Sequence, residues 1–438
     1  MKSELNSLPR TTLLVVFPML FGAGVAPSVP AASFRGLGDL PGGDFFSVAM
    51  AVSADGRVVV GYAKSTSGTE AFRWTAATGM VGLGDLSGGT FSSFANAVSA
   101  DGSVVVGDGR SSSGTEAFRW TSATGMVGLG DLPGGGLLSS AFGVSADGQV
   151  VIGSGTSALS GTRDEAFRWT ATNGMVALGD LPGGNYSSRA WAVSADGSVI
   201  VGESGSSNGN EAYRWTAETG MVGLGDFPGG WTNSIAYGVS ADGSVVVGRG
   251  YSGAYDLYTH EAFRWTAASG LVRLGFIPCN DWSIAHAASA DGSIIVGDPE
   301  TNQGDCAFIW DAPHGMRNLH AVLTNDYGLE LTGWRLSGAR GITPDGQTIV
   351  GFGYNPAGQY EGWIASLRPP ALAIRRDGNC VTVSWETNAP GFALEQTDSL
   401  SASRTWNTNA APVSIVGHQC VVTNRITPGP CFFRLRKP

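Results

Sequence analysis

The sequence predicts an all-β protein: a seven-bladed β-propeller of four-stranded antiparallel blades, closed by its N-terminal strand and followed by a small C-terminal β-sandwich. Three observations predict it. First, a Ser-Ala-Asp-Gly turn recurs at Asp55, Asp101, Asp147, Asp196, Asp242 and Asp291, with a Thr-Pro-Asp-Gly copy at Asp345; the spacings are 46, 46, 49, 46, 49 and 54 residues. That period is the size of one propeller blade. Second, Glu-Ala-Phe-Arg-Trp or a close variant follows each turn at Trp74, Trp120, Trp169, Trp215 and Trp265, with degenerate copies at Trp310 and Trp363. Third, 42% apolar residues, 66 glycines and only 14% charged residues suit strands buried on both faces rather than a disordered chain.

Residues 1–31 read as an export signal. Lys2 and Arg10 precede an apolar run from Leu13 to Ala26, interrupted by Pro18, and Val29-Pro30-Ala31 offers small residues for cleavage. The run is short for a membrane span, so a secreted or cell-surface protein is expected, with no transmembrane segment in the mature chain. The propeller is assigned to residues 34–368. It opens on Phe34-Arg35-Gly36-Leu37-Gly38-Asp39-Leu40, the fourth strand of a repeat whose first three are missing, while Gly338 to Leu367 supplies three strands without a fourth. The N-terminal strand is therefore expected to complete the last blade and remove an open edge.

Phe94 to Leu132 represents the unit. Phe94–Ser99 is a strand, Asp101-Gly102 a hairpin turn, and Val104-Val105-Val106 a run apolar on both faces. Glu116–Thr121 and Met126–Leu132 supply two further strands, and Pro133-Gly134-Gly135 ends the unit.

Because the copies align with one another, paired changes are visible. Asp39, Asp85, Asp131, Asp180 and Asp226 each precede a unit carrying Arg73, Arg119, Arg168, Arg214 or Arg264 respectively. Where the aspartate becomes Phe276 or Ala321, the arginine becomes Ile309 or Ile364. Joint loss of charge points to structural ion pairs between neighbouring blades, since a lone buried charge is costly. The unit that loses its pair gains Cys279 and Cys306, at positions held elsewhere by Gly and Glu. A disulfide is expected to replace the ion pair there, in an oxidising compartment.

The repeated Ala-Phe-Arg-Trp and Leu-Gly-Asp-Leu motifs resemble the HAF family of probable extracellular bacterial repeats, over about residues 34 to 367. The resemblance implies an exported, propeller-like protein and supplies no catalytic or binding residue. Residues 371–438 follow Arg368-Pro369-Pro370 and read as a β-sandwich similar to modules appended to other secreted bacterial proteins. Cys380, Cys420 and Cys431 allow three pairings there.

Chemistry is sparse in the sequence. The five histidines (His260, His286, His314, His320 and His418) show no metal spacing, and neither a Cys-x-x-Cys nor a Gly-x-Ser-x-Gly elbow occurs. No cofactor or metal is expected. Three lysines and scattered arginines form no basic stripe, which argues against nucleic acid. One feature suggests recognition: large apolar residues enter successive blades at Phe45, Phe91, Leu137, Tyr186, Trp231, Trp282 and Trp334. An aromatic ring on a rigid scaffold suits stacking against sugars or partner side chains, unless each residue plugs a gap between blades. A tyrosine-bearing loop (Tyr251, Tyr255, Tyr258 and His260) is a second candidate. The reading is a non-enzymatic, monomeric scaffold with a protein or glycan partner. A lectin-like propeller and a polysaccharide hydrolase or lyase are the alternatives.

Overall fold

The computed structural model describes Thr12–Leu14 and residues 32–436 except 137, 229–231, 252–258, 279–281, 300–303, 369–371, 387–392, 400–404, 417–418 and 426–430. The described chain is all-β apart from a helical turn at Leu319–Ala321 that continues into a π-turn at Val322–Asp326. It divides into two compact units, one of residues 35–322 with 331–365, the other of 366–438 with short segments from elsewhere.

In the larger unit, groups of four antiparallel strands follow one another. The first is Gly42–Val52, Val58–Ser65, Gly68–Thr75 and Gly79–Gly82; the second is Gly88–Val98, Val104–Ser111, Gly114–Thr121 and Gly125–Gly128. Groups beginning at Ser139, Gly183, Ile235 and Ile284 repeat the order. Arg335–Ile342, Thr348–Tyr354 and Tyr360–Ser366 lack a fourth strand of their own and pair instead with Ser33–Gly36. The Leu37 amide extends that pairing, donating to the Gly362 carbonyl at 2.9 Å. The first strands touch in series, and Arg335–Ile342 touches Gly42–Val52, so the series returns to its start.

Burial explains the three consecutive valines. Val104 and Val106 pack with Ala141, Val151 and Phe167 of the following group, whereas Val105 packs with Val58, Val60 and Ala71 of the preceding one. Alternate side chains of one strand thus serve opposite neighbours, and each fully buried valine contributes about 1.5–3 kcal/mol. Phe118 and Phe167, both 0% exposed, fill successive interfaces.

Polar stitches run between groups. The Ser93 hydroxyl, fully buried, donates to the Gly84 carbonyl at 2.6 Å and accepts the Ala71 amide at 3.0 Å. Ser47, Ser139, Ser188, Ser234 and Ser283 do the same at their own junctions. The Ser-Ala-Asp-Gly turns form a belt: the Ala54 amide donates to the Ala100 carbonyl, Ala100 to Ala146, and so on to Ala290, which donates to Pro344 at 2.9 Å. Pro344 has no amide hydrogen, so the belt stops there.

The ion pairs expected between Asp39 and Arg73, Asp85 and Arg119, Asp131 and Arg168, Asp180 and Arg214, and Asp226 and Arg264 do not form. Asp85 instead accepts the amides of Leu86 (2.8 Å), Ser92 (2.6 Å) and Arg110 (3.1 Å), and so holds the loop between groups in place. Asp39, Asp131, Asp180 and Asp226 likewise accept backbone amides. The guanidinium groups of Arg73, Arg119, Arg214 and Arg264 donate to the glycine carbonyl of the next group's Asp-Gly turn, at 3.1–3.4 Å. The reason is position along the strands. Gly109, which abuts Asp85, pairs with Glu116, and Arg119 lies three residues further along that strand, about 10 Å away. Aspartate and arginine therefore serve opposite ends of the strand group.

Cys306, 2% exposed, is the one described cysteine that is not free; Cys279 lies outside the described residues. Cys380, Cys420 and Cys431 are free. In the smaller unit, two four-stranded antiparallel sheets bury Val383, Trp385 and Val422 from one and Leu394, Phe433 and Leu435 from the other in a single cluster. Thr12–Leu14, within the segment expected to be an export signal, pairs with Phe433–Leu435. Among the described residues no helix is long and apolar enough to cross a membrane.

Candidate functional site

Among the described residues, those singled out for recognition do not form one exposed platform. Phe45 is exposed at 37%. Phe91, Tyr186, Trp282 and Trp334 are half-buried, each held against its surroundings. The Tyr186 hydroxyl donates to Glu165 at 2.9 Å, Trp282 lies edge-on to His260 with ring centroids 5.3 Å apart, and Trp334 packs over Gly36. Burial and the hydrogen bond to Glu165 push the Tyr186 phenol up to about 12. Phe91, Tyr186 and Trp282 thus lie against the preceding group, and Trp334 against the strand that completes its own. Leu137, Trp231, Tyr255 and Tyr258 lie outside the described residues. Tyr251 is buried, and His260 is held down to about 4 by burial and by Arg249.

A different layer carries the variety. Five residues before each Asp-Gly aspartate stand Met50, Asn96, Phe142, Trp191, Tyr237, His286 and Arg340, no two alike. Seven residues after it stand Tyr62, Asp108, Ser154, Glu203, Arg249, Asp298 and Phe352. The first set lies on the first strands, which touch one another in series, and the second on the strands beside them. All seven of the first set are half-buried. Five of them, from Phe142 to Arg340, meet across the groups. Ring centroids are 4.5 Å apart for Phe142–Trp191, 5.6 Å for Trp191–Tyr237 and 5.4 Å for Tyr237–His286. Nη1 of Arg340 then lies 2.8 Å from Nε2 of His286.

Charges are interleaved with these rings. Glu203 accepts Nε1 of Trp191 at 3.3 Å, faces Arg189 at 3.4 Å, and accepts the Asn210 amide at 2.6 Å. Asp298, 3% exposed at its side chain, lies 3.2 Å from Nε2 of His286 and 3.4 Å from Nε of Arg340. Asp108 accepts the Asn96 side chain at 3.1 Å; burial pushes its carboxyl up to about 6, against the opposing pull of that bond and of Arg110.

Past Arg340 the aromatic series resumes. Tyr360 of the last group, flanked by Phe352 and Tyr354, meets Phe46 of the first, which in turn lies against Tyr62. Phe46 and Tyr360 are stacked at 5.2 Å with 12° between planes, and Tyr62 meets Phe94 edge-on at 4.9 Å. Phe46, Tyr62, Phe352, Tyr354 and Tyr360 line a pocket of about 540 Å³ together with Val48, Met50 and Arg340. The sequence held the signal for this layer: aligned on the Asp-Gly turns, these are positions where the repeat stops repeating.

No protein-family model and no curated protein matches the chain. Solved structures similar to it include TolB from Acinetobacter baumannii, at 15% identity and a TM-score of 0.36, over 63% of this chain and 58% of that one. Hydrazine synthase from Kuenenia stuttgartiensis matches at 12% identity and a TM-score of 0.44, over 72% of this chain and 94% of that one. Sqt1 from Chaetomium thermophilum matches at 12% identity and a TM-score of 0.37, over 81% of this chain and 97% of that one.

Proposed function

We propose that the chain is an exported, non-enzymatic binding protein: a closed seven-bladed propeller of HAF-repeat type with a C-terminal β-sandwich, acting as a monomeric interaction scaffold. In this reading residues 1–31 direct export, and a Cys279–Cys306 disulfide fastens the sixth blade. The binding surface is the layer of unlike residues on the first and second strands rather than the loop aromatics. One observation carries the assignment: the scaffold residues repeat from blade to blade, while the first-strand residues of this layer differ at every copy, and those from Phe142 to Arg340 touch one another in series. Packing between equivalent blades demands equivalent residues. A position that never repeats is free of that demand, and rigid strands hold its side chain in a fixed place.

The test is a Trp191→Ala, Tyr237→Ala double variant of the mature chain on an array carrying glycans and extracellular proteins. The wild type is expected to bind a discrete set of targets, and the variant to lose them by about tenfold or more, the usual scale for central aromatic anchors. Its unfolding midpoint should move little, because both rings are only half-buried. Unchanged binding by the double variant overturns the assignment.

A further inference from the structure

We propose that the pocket between the first and last strand groups binds an acidic sugar, a pyranose ring carrying a carboxylate, within a glycan chain. The proposal rests on reading the unlike layer as a ligand surface, since Arg340 and Phe352 belong to it. The pocket's volume of about 540 Å³ falls within the range of small-molecule sites. Its walls are mostly aromatic faces, from Phe46, Tyr62, Phe352, Tyr354 and Tyr360. The hydroxyls of Tyr62 and Tyr354 have no hydrogen-bond partner among the described residues, and neither is buried out of reach of solvent.

Three classes of ligand fit less well. A quaternary ammonium would want an empty aromatic cage, but cations already sit on these rings: the Arg335 guanidinium is 4.6 Å from the centre of Tyr354, and that of Arg340 is 5.3 Å from Phe352. A purely apolar ligand would strip water from the tyrosine hydroxyls and return no hydrogen bond. A flat aromatic acid would satisfy the guanidinium but would also leave those hydroxyls unmatched. A sugar ring offers an apolar C–H face to the aromatic walls and hydroxyls to the phenols.

The carboxylate is called for by Arg340, the one charged residue among those lining the pocket. Asp298 and His286 hold its Nε and Nη1 edges from behind, and Asp298 is buried and does not line the pocket. Nη2 has no partner among the described residues. A guanidinium fixed on one side and open on the other is suited to a carboxylate. The formal net charge of −10 opposes anions at long range, but that field is screened beyond about 8 Å at physiological salt, which leaves the local guanidinium to decide.

The experiment is isothermal titration of the mature chain with three probes: trigalacturonate, its methyl ester, and phenylacetate. Trigalacturonate should bind, and the ester, which keeps the ring and loses the charge, should bind about tenfold more weakly or worse. Tyr62→Phe with Tyr354→Phe, which removes only two hydroxyls, should weaken trigalacturonate binding while leaving the unfolding midpoint in place. Arg340→Gln should abolish the difference between acid and ester. Should that variant fail to fold, because it strands the Asp298 charge, the wild-type comparison of acid with ester still decides. Equal binding of acid and ester, no binding of trigalacturonate, or binding of phenylacetate alone each overturns the proposal. Trp191 and Tyr237 lie outside the pocket, so the two readings fail separately: equal binding of acid and ester beside array targets that the Trp191→Ala, Tyr237→Ala variant loses overturns this proposal alone, whereas array binding unchanged by that variant overturns the wider reading.

Discussion

Asp85 and Arg119 provide the sharpest test of how the repeats are held together, because the sequence suggests a pair that the structure separates. Asp85 accepts three backbone amides, at 2.6, 2.8 and 3.1 Å. Hydrogen bonds to a charged group are worth roughly 1.5–3 kcal/mol each, but water replaces part of that at this half-buried site, so Asp85→Ala should cost about 2–3 kcal/mol. Arg119 reaches the Gly148 carbonyl through two contacts of 3.4 Å. Contacts that long, on a half-exposed side chain, should be worth about 0.5–1 kcal/mol. The two residues share no partner, so the double variant should equal the sum of the singles within about 0.5 kcal/mol. Equilibrium unfolding in guanidinium chloride of the wild type, both singles and the double measures all four corners of the cycle. A coupling energy above about 1 kcal/mol would refute the separation and restore the ion pair. A larger loss for Arg119→Ala than for Asp85→Ala would show that the Asp-Gly belt, rather than the loop between groups, is the stronger junction.

Two further outcomes follow from particular residues. The carboxyl of Asp108 is raised by burial from 3.8 to about 6, so the folded state binds its proton more tightly than the unfolded chain does. Its contribution is therefore fully present below about pH 4 and falls away as pH rises to about 6, and Asp108→Asn should remove that slope and stabilise the protein at pH 7 by on the order of 2 kcal/mol; thermal melts of both proteins from pH 4 to 7 check it, and parallel curves would refute it. Non-reducing peptide mapping should find Cys279 joined to Cys306, with Cys380, Cys420 and Cys431 open to alkylation, and recovery of Cys279 and Cys306 as free thiols would remove the disulfide from the reading.

What the sequence determined by itself is whatever the repeat repeats. Seven Asp-Gly turns, the buried valine run and the Glu-Ala-Phe-Arg-Trp strand are local patterns, and each dictates a strand, a turn or a buried face without reference to the rest of the chain. The orphan segment at Phe34–Leu40 was equally legible, since a fourth strand without three partners must find them at the other end; it pairs slightly earlier than expected, over Ser33–Gly36. Only the tertiary structure decided which polar groups meet. Asp85 and Arg119 vary together in the repeat, yet they lie at opposite ends of a strand group, and covariation inside a repeat cannot distinguish contact from joint decay of a motif. The loop aromatics looked like a platform because spacing places them in one loop of every group, but whether Trp282 faces solvent or His260 depends on the neighbouring strand. The layer from Met50 to Arg340 shows the same division. Its lack of repetition can be read from the sequence, but the contacts from Phe142 to Arg340 exist only because the first strands come together, across separations of about fifty residues, when the fold brings successive groups side by side.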